Sequence, residues 1–109
     1  MKNIEQYLDY ILQDYMVWNR PSTNDDNFEI KTRMIQEFCD GLCVREGSKY
    51  IKVCTRNGGT VHSFIIKKDA GKFRAGDILK AASYAAPALN FPRGNVIAGD
   101  WKNVRWTGA

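Results

Sequence analysis

The chain is short of the side chains that most often do chemistry. It has one histidine, His62, and three cysteines, Cys39, Cys43 and Cys54. A Cys–His nucleophilic pair would need a thiol beside His62, and no local spacing arranges one. Ser63 adjoins His62, but neighbours along a strand point to opposite faces. The four thiol and imidazole groups could in principle hold zinc, yet they run Cys-x3-Cys, ten residues, Cys-x7-His rather than as two tight pairs. With a two-residue hairpin loop, Cys54 and His62 face opposite sides of a sheet. Only a three-residue loop through Asn57, Gly58 and Gly59 would oppose them. Structural thiols and a satisfied core histidine are therefore expected, with no metal and no cofactor.

Acidic residues are scarce in the second half, where only Asp69, Asp77 and Asp100 occur after residue 48. Asp69 falls in a turn, and the other two each follow a glycine, positions common for structural aspartates. Paired-carboxylate catalysis is not expected from them, and the protein is read as non-enzymatic. The glycines have neither dinucleotide-loop nor P-loop spacing. Arg93-Gly94-Asn95, after Pro92, reads as an exposed turn that either holds a phosphate on its amides or simply reverses the chain. No apolar run approaches the roughly 20 residues that span a bilayer, so no membrane role is expected. The first residues mix polar and apolar types, with no secretory signal in view. That start and an odd cysteine count point to reduced thiols in a cytosolic setting.

What is present is a sharp division of charge. Residues 1–48 carry five basic and nine acidic side chains, a balance of −4; residues 49–109 carry eleven basic and three acidic, a balance of +8. A local excess of Lys and Arg attracts polyanions whatever the fold, and equally keeps a small protein in solution. At 109 residues the chain fits one domain, 1–109, with an acidic helical part (about 1–41) and a basic strand-rich part (about 42–109).

Asn3 can cap a helix in which Ile4, Tyr7, Leu8, Ile11, Leu12, Tyr15 and Met16 recur at helical steps over about four turns. Residues 19–27 hold turn formers and read as a loop. A second helix is expected from Asp25 or Asp26 to Cys39, with Phe28, Met34, Ile35 and Phe38 inward, ending at Asp40-Gly41. The period then becomes two. Strands are expected at Leu42–Arg45, Tyr50–Arg56 and Thr60–Lys67, the last two around Asn57-Gly58-Gly59. Another strand lies around Phe73–Leu79, interrupted by Gly76. Ala81–Ala86 can form a helical turn, limited by Pro87 and Pro92. Trp101 and Trp106 imply a docked tail, because exposed indoles are unfavourable.

A two-residue hairpin loop would put Ile51, Val53 and Thr55 on one face with His62, Phe64 and Ile66, the natural core face. Tyr50, Lys52, Cys54 and Arg56 would share the other with Val61, Ser63, Ile65 and Lys67. A basic face bearing an aromatic ring is how many single-strand binders work: cations follow the backbone and rings stack on bases. An ordinary half-exposed strand face has the same composition.

From Lys49 on, several segments carry a resemblance: Lys49-Tyr50-Ile51-Lys52-Val53, Val61-His62-Ser63-Phe64-Ile65, Gly76 through Tyr84, Ala86-Pro87-Ala88 and Arg93-Gly94-Asn95-Val96. Over about residues 49–97 the chain resembles a group of small uncharacterised proteins encoded by tailed bacteriophages. The resemblance implies a phage origin and action in the cytoplasm of the infected bacterial host; it brings no functional residues with it.

The expected fold is α+β: two N-terminal helices on a small, mostly antiparallel sheet, with an irregular C-terminal segment. The expected role is contact with nucleic acid through the basic half, by Lys52, Arg56, Lys67, Lys68, Lys72, Arg74, Lys80 and Arg93 with Tyr50 as a stacking ring. The alternative is a protein-interaction module, such as a phage inhibitor of a host enzyme or a minor virion component, presenting Asp9, Asp14, Asp25 and Asp26. Composition leaves open DNA against RNA and the oligomeric state.

Overall fold

A computed structural model describes residues 1–19 and 28–109. The expected loop from Arg20 to Asn27, with Asp25 and Asp26, lies outside the described residues. Two helices, α1 (Ile4–Trp18) and α2 (Phe28–Gly41), precede five strands: β1 (Cys43–Glu46), β2 (Tyr50–Thr55), β3 (Thr60–Ile66), β4 (Asp77–Lys80) and β5 (Gly94–Asn95). The strands form one antiparallel sheet in the order β1-β2-β3-β4-β5, so each pairs with its neighbour in sequence. The fold is the α+β arrangement expected. Among the described residues, no helix is long and apolar enough to cross a membrane.

α1 forms because its apolar residues return every three or four positions, and it buries Tyr7, Ile11 and Tyr15. Tyr7 and Ile11 join Ile51, Val53, Ile65, Ile78, Val96 and Val104 in the main core, while Tyr15 packs on Phe38 and Trp106. Full burial of each such aliphatic side chain stabilises by about 1.5–3 kcal/mol relative to exposure. Asn3 does not cap α1 through its side chain. It adopts a left-handed conformation and its Nδ2 donates to the Ile97 carbonyl at 3.0 Å, tying the helix start to the C-terminal segment. Met16, expected inward, is exposed.

α2 departs further from its expected stripe. Phe28 and Met34 are exposed, while Ile35 and Phe38 are half-buried. The C-terminal half of α2 packs against the rest of the fold. There Phe38 stacks on Tyr15 at 4.0 Å between ring centroids, with Trp106 edge-on to both. Gly41 lies against the backbone of Arg56 and Asn57 in the hairpin loop. Trp101 packs on Tyr7 at 5.7 Å, so both late indoles are docked as expected.

The central hairpin corrects the expected face assignment. Its loop spans residues 56–59, with Asn57 and Gly58 at positive φ, and Thr55 faces Thr60. That loop alone would preserve the expected parity. A bulge between Val53 and Cys54 then shifts the register by one, making His62 the extra residue. Beyond the bulge, Ile51 opposes Ile65 and Val53 opposes Ser63, while Tyr50 opposes Ile66 and Lys52 opposes Phe64. Ser63 and Ile65 thus belong to the main core, not to a basic outer face. Phe64 and Ile66 belong with Tyr50 and Lys52 to a second, smaller core that includes Phe73 and Leu79.

The C-terminal part differs from expectation in two further places. Ala81–Ala86 forms no helical turn; it bends back so that the Ala82 and Ser83 amides donate to the Ala86 carbonyl. Arg93-Gly94-Asn95 is no exposed turn either. Gly94 and Asn95 are β5, and Gly94 passes so close to the Asp100 carbonyl that a Cβ would sit 2.3 Å from it.

Candidate nucleic-acid interface

The turn between β1 and β2 positions the site. The Gly47 amide donates to the Tyr50 carbonyl at 2.8 Å, leaving Ser48 and Lys49 as the loop. Arg45 is therefore directly opposite Lys52, and Lys52 directly opposite Phe64, which faces Leu79. One row across four strands thus runs from two cations to two buried apolar residues. Phe73 and Ala81 pack against the apolar end, and Tyr84 and Ala85 flank the cationic end.

Lys52 is held over the Tyr84 ring, its Nζ 4.2 Å from the centroid, with the Phe64 ring at 5.7 Å. Tyr84 is fixed in turn by its hydroxyl, which donates to the Gly58 carbonyl at 2.7 Å. Arg45 donates to the neighbouring Asn57 carbonyl at 3.2 Å. The hairpin loop thus anchors both the cation and the aromatic wall of the groove. Tyr50 lies half-buried, edge-on to Phe64 at 5.8 Å.

Two clefts meet at Tyr50. One, of about 420 Å³, is lined by Arg45, Lys49, Tyr50, Lys52, Phe64 and Ala85 among others. The second, of about 390 Å³, is walled by Lys49, Tyr50, Ile66, Phe73 and Leu89, with Lys67 and Lys68 alongside. Together the walls carry Arg45, Lys49, Lys52, Lys67 and Lys68 against Glu46 and Asp69. Lys67 is partly committed: its Nζ reaches Glu46 at 2.8 Å and the Gly47 carbonyl at 3.0 Å. Its hydrogen bond and charge hold the exposed Glu46 carboxyl below the ordinary range.

Of the nine residues expected from the sequence, Tyr50, Lys52, Lys67 and Lys68 gather at these clefts. Lys72 lies near the second one, its Nζ 5.3 Å from the Phe73 centroid and bonded to the Asn90 carbonyl. Arg74 and Lys80 are exposed but line neither cleft. Arg93 packs its guanidinium 4.0 Å from the Phe91 ring. Arg56 lines a different and larger cleft, of about 760 Å³, between the helices and the hairpin loop. That cleft is mainly apolar, with Arg56 set against Glu37, and offers a polyanion little. Arg45 and Lys49 are the additions. Arg45 was hidden because it falls in the acidic half; a two-residue turn at Ser48-Lys49 is the signal that places it opposite Lys52.

His62 and Ser63, expected to face apart, are brought together by the bulge. Tyr7 Oη lies 2.8 Å from Ser63 Oγ, which lies 2.9 Å from His62 Nδ1; His62 Nε2 lies 2.7 Å from the Arg105 carbonyl. A carbonyl only accepts, so Nε2 carries the proton, Nδ1 accepts from Ser63, and Ser63 accepts from Tyr7. Burial holds the imidazole pKa below its ordinary value and pushes the Tyr7 phenol well above its own. Ser63 has no exposed surface, so this chain links helix, sheet and tail rather than meeting a substrate. Among the described residues, no three His, Cys, Asp or Glu side chains gather to hold a metal. Asp14, assigned from sequence to an acidic partner surface, accepts the Trp106 amide at 2.8 Å.

No family model, curated protein or solved structure matches the chain.

Proposed function

We propose that this protein is a non-enzymatic nucleic-acid binder, using the paired clefts around Tyr50, and that it acts in the cytoplasm of a phage-infected bacterium. The observation that carries the binding site is the convergence on one aromatic ring of five cations against two carboxylates. The phage setting rests on the motifs between Lys49 and Val96. A concave, ring-lined groove suits a backbone threaded past cations with bases on the aromatic walls, each stack contributing roughly 1–3 kcal/mol. Fluorescence anisotropy with labelled oligonucleotides across a salt series tests it. Three to five neutralised phosphates on a single strand predict a log–log slope of about −2 to −3.5. Binding that ignores salt contradicts the reading.

A second reading, a protein-interaction module such as a phage inhibitor of a host enzyme or a minor virion component, has its own support. Val17, Trp18 and Ile30 on the two helices are 73%, 70% and 54% exposed, more apolar surface than a helix facing water needs. Pull-down after nuclease treatment separates the two, because a nucleic-acid binder loses its co-purifying material.

A further inference from the structure

Cys43 and Cys54 face one another directly across β1 and β2. Both thiols are free; Cys54 is fully buried and Cys43 half-buried. The backbone bonding defines the pair. The Gly47 amide donates to the Tyr50 carbonyl, which makes 47 and 50 a hydrogen-bonded pair. Such pairs alternate with non-bonded ones along an antiparallel ladder. Arg45–Lys52 and Cys43–Cys54 are therefore hydrogen-bonded pairs as well. Their Cα atoms stand about 5.5 Å apart, inside the window of about 4.4–6.8 Å that disulfides span. Directly opposite Cβ atoms stand about 4.5–5.5 Å apart, farthest in hydrogen-bonded pairs, whereas a relaxed disulfide has them near about 3.8 Å. Bridging needs only a small approach of the strands, but it stores strain, and strained disulfides are the easily reduced ones.

We propose that Cys43 and Cys54 are a modification site, a dithiol that closes reversibly to a cross-strand disulfide by exchange with a low-molecular-weight disulfide such as oxidised glutathione. The more exposed Cys43, as its thiolate, attacks one glutathione sulfur; that S–S bond breaks and a glutathione thiolate leaves and is protonated. Cys54, losing its proton to solvent, then attacks the Cys43 sulfur and expels the second glutathione thiolate. Two protein thiols are oxidised and one glutathione disulfide is reduced to two thiols. Burial and the adjacent Cys43 thiol push the Cys54 thiol up, while Lys52 and Arg45 oppose this, so Cys54 fits the second step better than the first. The bridge lies one row from Arg45 and Lys52 on the same sheet face. It would clamp the edge strand that carries Arg45, directly after the end of α2.

The test equilibrates the full-length protein in graded mixtures of reduced and oxidised glutathione, blocks remaining thiols with a maleimide, and maps peptides by mass spectrometry. The expected product is a monomer with a Cys43–Cys54 link and a blocked Cys39, reopened by excess reduced glutathione. The link persists in Cys39→Ser and vanishes in Cys43→Ser, a change at a half-buried edge position that spares the core. Stable glutathione adducts without the link, a link through Cys39, no oxidation, or a bridge that excess reduced glutathione cannot open would each overturn the proposal.

Discussion

Tyr7, Ser63 and His62 show how single side chains join the two halves of the protein. Tyr7 comes from α1, Ser63 and His62 from the β3 bulge, and the Arg105 carbonyl from the tail. Tyr7→Phe removes the donor to a buried hydroxyl, and we expect a loss of about 1–3 kcal/mol in urea unfolding. Ser63→Ala on that background should add less than it does alone, because the two share one bond. Stability should also respond to pH. The buried imidazole resists protonation, so its folded pKa lies below that of the unfolded chain, near 6.5. The contribution is complete above the unfolded value and declines as pH falls through about 6.5 toward the folded value, since only the unfolded chain then takes the proton. Denaturant midpoints measured from pH 8 to pH 5 should fall in that window, and His62→Gln should flatten the fall. The sequence could not show this chain, because two neighbours on a regular strand face apart and only the bulge brings them together.

Among the elements, those with strong local periodicity were legible and those set by distant contacts were not. α1 and the β2–β3 hairpin follow from the spacing of Ile4 to Tyr15 and from Asn57-Gly58-Gly59. The inner stripe of α2 was misplaced at Phe28 and Met34, which are exposed, while Phe38 and Gly41 near its end pack on Tyr15 and the hairpin loop. The faces of β3 were inverted by a single extra residue at His62. β5 has no local signal at all: two residues become a strand because Ile78 pairs with Gly94 and Asp77 with Asn95. Gly94 is where this arrangement is least tolerant. A methyl group there would strike the Asp100 carbonyl, a backbone atom unable to turn away. Gly94→Ala should destabilise by about 1–3 kcal/mol or more. Hydrogen exchange should quicken first at the amides of Asn95 and Asp100, which donate to each other's carbonyls.

At the scale of the whole molecule, the division of charge was plain in the sequence, but not which cations would converge. Four of nine expected residues meet at the Tyr50 clefts, and two unassigned ones, Arg45 and Lys49, complete them. Lys67 and Lys68 line the second cleft while Arg74 and Lys80, farther along the chain, line neither, whereas strand pairing aligned Arg45 with Lys52. The measurement that tests the central claim most directly compares two double variants by anisotropy on a labelled single-stranded oligonucleotide over a salt series. One variant is Arg45→Ala with Lys52→Ala, within the groove; the other is Arg74→Ala with Lys80→Ala, equal in charge and outside it. Binding through the clefts predicts that the groove variant loses about tenfold in affinity and about 1–2 units of salt slope, while the outer variant stays near wild type. Equal losses in the two variants, or an unchanged slope in the first, would contradict a site at Tyr50.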